Sequence, residues 1–380
     1  MSKTKIPDKV KLKLWTKSGG RCQFQGCNEP LYRDDKTYAQ MNRAYIAHIV
    51  ADSPGGVRGD ENLSPKLAKE FSNLMLLCDA HHRMIDDTSN GNKYTVELLQ
   101  TFKKEHEERI EYLTGIDESY KSHLLFFKDN IGTRKPEIEF EDARLAILPR
   151  FPASSNFIEI DLTHGAYRDC EENYFRDKQK EISRLVETKV KQRSDINHLS
   201  VFAFASMPLL IHFGYELGDT ISADIYQRHR STNSWKWQDE DMSEFQYVIE
   251  ENLLEDEAET GIVALNLSLS GTIRDEEINS ALDKPHSYYK LTIANPNPNF
   301  LKSEEQLDLF KAEMRTLLRR IRETHGHNCE IHLFPAIPLS VAVSIGFILL
   351  PKIDPKIHVY ENNDGFSYAL TIAQHYRRQA

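Results

Sequence analysis

Three of the five cysteines fall in two short pairs, Cys22-x4-Cys27 and Cys78-x2-His81. Thiolates and an imidazole at these spacings are the donor set of a tetrahedral structural zinc, two knuckles tied together where a small core cannot hold itself. His82 stands beside His81 and offers itself as the alternative fourth ligand. His48 lies in an apolar run, residues 45–50, where a lone imidazole is ordinarily a core residue. It is not alone: Asn73 precedes a second apolar run, and His82 and Asp86 are spaced i, i+4. That spacing puts both side chains on one helical face, able to grip one divalent ion. Arg58, in Gly55-Gly56-Val57-Arg58-Gly59, could hold a phosphate, although a solvated loop arginine is the plainer reading. Cys170 and Cys329 are isolated and read as small buried thiols.

The elements that must position these groups follow from pattern. An amphipathic helix over residues 9–18 ends at Gly19-Gly20, then come the first knuckle, the strand with His48, the Gly-rich loop and the Cys/His segment that opens a helix. Thr95 is an N-cap for a helix through residue 113, stopped by Gly115. Residues 116–140 read as a connector, a helix and then an extended stretch. Beyond it strands (157–162, 199–205, 262–269, 289–294, 330–334, 357–360) alternate with helices over 173–190 and 303–324. Such alternation predicts an α/β domain around a central sheet. Residues 201–218 and 331–349 repeat one order: a strand, a turn with Pro208-Leu209 or Pro338-Leu339, an apolar helix containing a glycine, and a strand ending near Tyr226 or Tyr360. Two Rossmann-like halves would bring two helix N-termini together, where free N–H groups receive phosphates.

At 380 residues, with 40% hydrophobic and 28% charged, the chain fits a two-domain globular protein. The net charge of -10 is uneven: residues 1–140 hold 22 basic against 21 acidic side chains, the rest 26 against 37. The acidic part is a poor surface for a duplex. Lys3, Lys5, Lys9, Lys11, Lys13 and Lys17 concentrate positive charge near the cysteine pairs, as a DNA contact or a solvated face. The most apolar run, 336–351, is too interrupted to span a bilayer, and the N-terminus lacks the apolar stretch of a signal peptide, so no membrane partner and a cytoplasmic location are expected. Within the acidic part, Arg228, His229, Trp235 and Trp237 put cations and flat faces in a short interval, suited to phosphates and bases. Each tryptophan is as readily a core residue as a platform. Ser206 beside Pro208, and Ser268, Ser270 and Thr272 after a strand, add hydroxyl donors.

The stretch RCQFQGC … AHIVADSPGGVRG … SNLMLLCDAHHRMID resembles the HNH (ββα-metal) endonuclease motif. The resemblance implies His48 as general base, Asn73 as the middle asparagine, His82 as the terminal histidine, and Asp86 as a further ligand of a catalytic Mg²⁺ or similar cation. Phosphodiester hydrolysis suits such a set, since an imidazole can deprotonate water near neutral pH and a cation neutralises charge on the phosphate. Ala47 departs from the pattern, standing where many relatives carry a ligand, and the interval to Asn73 is long, with Lys66, Lys69 and Glu70 inserted.

Residues 141–380 resemble a SAVED domain, through HLSVFAFASMPLLIHFGYELGD, YQRHRSTNSWKW, LNLSLSGTI and LFPAIPLSVAVSIGFILLPKIDP. Together the two resemblances imply an HNH–SAVED effector of bacterial CBASS anti-phage defence: a zinc-stabilised ββα-metal domain (1–115), a linker (116–140), and a sensor of two fused Rossmann-like halves (141–380). A cyclic di- or trinucleotide, the dinucleotide favoured, would bind near Ser206, Arg228, His229, Trp235, Trp237, Ser270, Pro338 and Tyr360. Binding would drive homo-oligomerisation, to a dimer, tetramer or higher, and switch on cleavage of double-stranded DNA. Two alternatives stand beside this: a modification-dependent HNH restriction endonuclease with a base-reading C-terminal domain, and a zinc-stapled DNA-binding module without catalysis.

Overall fold

A computed structural model describes residues 4–34, 36–90, 93–164, 173–218, 220–254 and 261–372. Lys3 and Cys170 lie outside them. The chain divides into two compact units, Met1–Asp117 and Glu118–Ala380.

In the first unit, α1 (Asp8–Lys17) ends where Gly19 and Gly20 take positive φ of 60° and 65°, conformations that favour glycine. The knuckle that follows closes by an isolated bridge between Arg21 and Pro30. Strand β1 (Tyr45–His48) pairs antiparallel with β2 (Leu74–Leu77), which sets His48 opposite Leu74. Between them lies the short α2 (Leu63–Leu67); α3 (Asp79–Asp86) and α4 (Val96–Thr114) follow β2. The Thr95 hydroxyl accepts from Leu98 N at 3.2 Å, the expected N-cap.

This core is small: Leu14, Ile49, Leu74 to Leu77, Ile85, Leu99 and Phe102. Buried Gln23 helps to hold it, accepting from Leu76 N and donating to Glu107. The basic N-terminal face is largely engaged within the unit. Lys11 pairs with Asp8 and Lys17 with Glu111, while Lys13 and Lys103 sit over the Phe71 ring at 4.3 and 3.8 Å.

The second unit holds β3 (Lys121–Lys128), α5 (Phe140–Ala146), β4 (Phe151–Pro152), β5 (Ile158–Asp161), α6 (Tyr174–Val186), β6 (His198–Phe204), α7 (Met207–Leu217) and β7 (Ser222–Tyr226). It continues with β8 (Val248–Asn252), β9 (Ile262–Ser268), α8 (Asp275–Ala281), β10 (Ser287–Thr292) and α9 (Glu304–His325). The last elements are β11 (Glu330–Ala336), α10 (Leu339–Ile348), β12 (Lys356–Asn362) and β13 (Phe366–Ile372). These strands form two sheets. The first has the order β4-β3-β6-β7, with β5 also on β3, and is parallel throughout. The second runs β13-β12-β11-β9-β10-β8, parallel in its middle and antiparallel at both edges.

The expected linker is corrected here. Residues 121–128 form β3, flanked by β4 and β5 on one side and β6 on the other, with Leu124 to Phe127 fully enclosed. A strand buried on both faces shows no alternation, which is why its pattern did not announce it.

The repeated segments become β6-α7-β7 and β11-α10-β12, one in each sheet. Helices α7 and α10 cross at glycines. A Cβ on Gly214 would collide with the Val343 carbonyl, and one on Gly346 with the Ile211 carbonyl and Tyr215 N. Each helix therefore presents a bare backbone to the other, and the contact is reciprocal.

Candidate functional site

The four donors of the cysteine pairs converge. Sγ of Cys22, Cys27 and Cys78 and a ring nitrogen of His81 lie within 4.8 Å of one another, with Cys78 Sγ 3.1 Å and Cys22 Sγ 3.7 Å from His81 Nδ1. The knuckle supplies two donors, and the junction of β2 and α3 the other two. Cys22 is fully buried, and burial pushes the thiols of Cys22 and Cys78 upward. Three cysteines and one histidine gathered in this way could hold a tetrahedral cation, whose bonds to sulfur are about 2.3 Å. The Phe24 ring stacks on His81 at 4.1 Å, which fixes the imidazole. His82 is not part of this set.

His82 instead faces Asp86 one turn later, Nε2 to Oδ2 at 3.7 Å, and stacks on Tyr45 at 5.0 Å. Burial lowers its pKa, keeping the ring neutral and its lone pair available. The other Asp86 oxygen is taken by Arg58 at 3.1 Å. That arginine is the surprise of the loop. At φ 65°, with its side chain 4% exposed, it donates to the carbonyls of Ile49, Ile85 and His48 and braces the end of β1 against the end of α3. It is neither a solvated arginine nor a free phosphate donor.

Asn73 is a brace too. Its amide exchanges two hydrogen bonds with Val50, accepting at 2.7 Å and donating at 2.9 Å, and so fixes the residue two beyond His48. His48 is 8% exposed. Its Nε2 lies 3.0 Å from the Ala68 carbonyl, an acceptor only, so Nε2 carries the proton and the lone pair of the neutral ring is on Nδ1. Asp52 Oδ1 stands 3.8 Å from the same Nε2. Sequence reading missed Asp52, although an acid four residues after the histidine was visible in AHIVAD. Among the described residues, His48 does not join His82 and Asp86 in a set of three donors within 4.8 Å.

In the second unit, the residues expected to meet a ligand separate into two groups. Ser206 precedes the first turn of α7, and its hydroxyl is buried without a hydrogen-bond partner among the described residues. His229 is 5% exposed, with Nε2 in the same condition, and its ring meets the edge of half-buried Trp237 at 5.5 Å. Arg228 lies over Trp235 and donates to Asn233. Pro338 precedes α10, and Ser270 N donates to Ala336 O at 2.7 Å, two residues before that proline.

Gln227, which sequence reading passed over, joins the halves. Standing just beyond β7, it accepts from both N and Oγ of Ser340 in the first turn of α10, at 3.2 and 2.8 Å. A glutamine directly before Arg228 and His229 was the available signal. Trp235 and Tyr360 are corrections. Trp235 is 1% exposed and packs edge-on to Phe202, so it offers no face to a base. Tyr360 is buried on Phe334, with its hydroxyl held by His332 Nδ1 at 3.0 Å.

The profile of the SAVED family, the SMODS-associated and fused to various effectors sensor domain, matches residues 182–372. The chain belongs to the SAVED family. Its match runs from within α6 to the end of β13, wholly inside the second unit. No curated protein matches the sequence.

Among solved structures, the SAVED chain is similar to Acinetobacter baumannii Cap4, a SAVED/CARF-domain containing receptor. The structure of that receptor with 3'3'3'-cAAA shows 14% identity over 83% of this chain and 66% of that one, at TM-score 0.44. Its structure with 2'3'3'-cAAA shows 14% over 82% and 72%, at 0.45. The Moraxella osloensis Cap4 receptor shows 11% over 73% and 60%, at 0.38. The SAVED chain thus spans 60–72% of these receptors' own length.

Proposed function

We propose that this SAVED protein is a DNA endonuclease of the HNH type, silent until its sensor domain binds a cyclic di- or trinucleotide in CBASS-type defence. The observation that supports the nuclease half most is local: β1 carries His48, Asn73 directly precedes β2, α3 carries His82 and Asp86, and a four-donor zinc set braces the junction of β2 and α3. Zinc fits Cys22, Cys27, Cys78 and His81 by donor chemistry and by convergence, and there it is structural, because four protein ligands leave no open position. A divalent ion such as Mg²⁺ fits less fully. His82 and one oxygen of Asp86 are available to it, with phosphate and water completing the shell, and it would neutralise charge on the scissile phosphate.

His48 takes the proton of the attacking water at Nδ1. Its Nε2–H is held by the Ala68 carbonyl, and the Asp52 carboxylate beside it favours the imidazolium that forms. Asn73 keeps this end of β1 in place through Val50. Arg58 neutralises the remaining Asp86 oxygen and ties α3 to β1, so both halves of the site move together.

For the sensor, the supporting observation is the pair of buried polar atoms without a hydrogen-bond partner among the described residues, Ser206 Oγ and His229 Nε2. Ser206 stands at the N-terminus of α7, where backbone N–H groups receive phosphate oxygens. Arg228 adds charge, Trp237 a partly open ring, and Gln227 and Ser270 hold the neighbouring start of α10. Binding shared between copies would supply the differential affinity that activation needs, about 5.5 kcal/mol to move a population from 1% to 99% active.

The test is plasmid cleavage by purified protein with Mg²⁺ and a panel of cyclic di- and trinucleotides. Cutting with one messenger, absent without it and absent in His48→Ala, is the expected result. Equal cutting with and without every messenger contradicts the proposed control.

A further inference from the structure

A second constellation of metal-ligating side chains lies far along the sequence from the cysteine cluster. Glu330 and His332 alternate on one face of β11, and His358 is the register partner of His332 on the parallel neighbour β12. One carboxylate oxygen and one nitrogen of each imidazole fall within 4.8 Å of one another, and the two rings are 4.8 Å apart.

What distinguishes this trio from an ordinary polar patch is the state of the rings. His332 Nδ1 is bonded to the Tyr360 hydroxyl at 3.0 Å, and His358 Nδ1 to the Thr371 hydroxyl at 2.8 Å. Each ring thus has its Nδ1 occupied by an outer partner, which leaves Nε2 as the nitrogen that can ligate, and this is how ligating histidines are oriented by their surroundings. His358 Nε2 is buried, without a hydrogen bond among the described residues, and 3.7 Å from Glu330 Oε2. Lys356 reaches the other Glu330 oxygen at 3.8 Å and is the cation that now partly balances it.

We propose that Glu330, His332 and His358 form a binding site for a borderline divalent transition ion, Zn²⁺ above all. Two imidazoles and a carboxylate are a zinc donor set that leaves a fourth position open. A tetrahedral ion with bonds of about 2.0–2.2 Å keeps its donors about 3.3 Å apart, so small side-chain rotations close the observed spacing. The site sits at the starts of β11 and β12, the opposite end from the turn that carries Pro338 into α10. Occupancy would pin the two strands to each other. It would also fix His332 with its proton on Nδ1, donating to Tyr360.

The experiment counts metal. Full-length wild type and His332→Gln/His358→Gln are equilibrated with excess Zn²⁺, dialysed together, and analysed for zinc per chain. The variant is expected to hold one equivalent fewer than wild type, whether the cysteine cluster contributes its own ion or not. Equal zinc content in the two proteins overturns the proposal. Should the double variant fail to fold by circular dichroism, Glu330→Gln decides. A loss of about tenfold or more in the affinity of one zinc class supports the site, and unchanged affinity for every class overturns it. A failure of the cysteine cluster would lower both proteins alike, so the two results cannot be confused.

Discussion

The two units solve the problem of building a site in opposite ways. The first has a small core and gathers its chemistry from short local segments brought together: a knuckle, the strand β1, and a helix start that follows β2 directly. The second has an extensive core running through two sheets, and gathers its polar atoms from a strand end and a helix start far apart in sequence, such as Gln227 and Ser340. A site of the first kind is braced by the four donors of Cys22, Cys27, Cys78 and His81, which could hold an ion. A site of the second kind depends on close packing behind it, above all at the crossing of α7 and α10.

The largest effect that would break this contrast is metal removal. Cys78→Ser, or a strong chelator, should unfold the first unit outright, since structural zinc contributes about 10–16 kcal/mol in small domains. The second unit should keep its own thermal transition. Calorimetry that shows both units melting together, or neither affected, would remove the distinction. Next comes packing: Gly346→Ala places a Cβ on the Ile211 carbonyl, and a loss of about 3 kcal/mol or more in the second unit is expected in urea, with the first unit unchanged.

Gln227→Ala sharpens the same point at smaller scale. It leaves the Ser340 N–H and hydroxyl without their acceptor, costing about 1–3 kcal/mol of stability, and weakens cyclic-nucleotide binding in a fluorescence titration. The smallest effect concerns Cys329, buried and with its thiol pushed up to about 11. At pH 8 it should stay unalkylated by iodoacetamide in the folded protein and react on denaturation; rapid modification of the native state would show that end of β11 to be open.

How much could be read in advance follows the same divide. Cys22, Cys27, Cys78 and His81 were legible because ligand spacing is a local property, and the structure brings their donors together. The helix from Thr95 and the strand–helix–strand repeat were legible from capping and periodicity. The strand β3 was not, because complete burial erases alternation, and the strand order within each half was not, because order and register leave no mark on a single chain. Trp235 and Tyr360 misled for a related reason: an aromatic beside basic residues reads the same whether it faces a ligand or Phe202 and Phe334. Arg58 and Asp52 take their meaning only from what lies across the fold, namely the carbonyls of Ile49 and Ile85, and the ring of His48.

The central claim, that the second unit receives a messenger and the first unit cuts, is tested most directly by one titration. The activating cyclic nucleotide is added to His48→Ala protein in the presence of plasmid and Mg²⁺, and ligand binding and plasmid integrity are followed together. The account predicts a Kd equal to that of wild type with the plasmid intact throughout. A plasmid cut as fast as by wild type would contradict it.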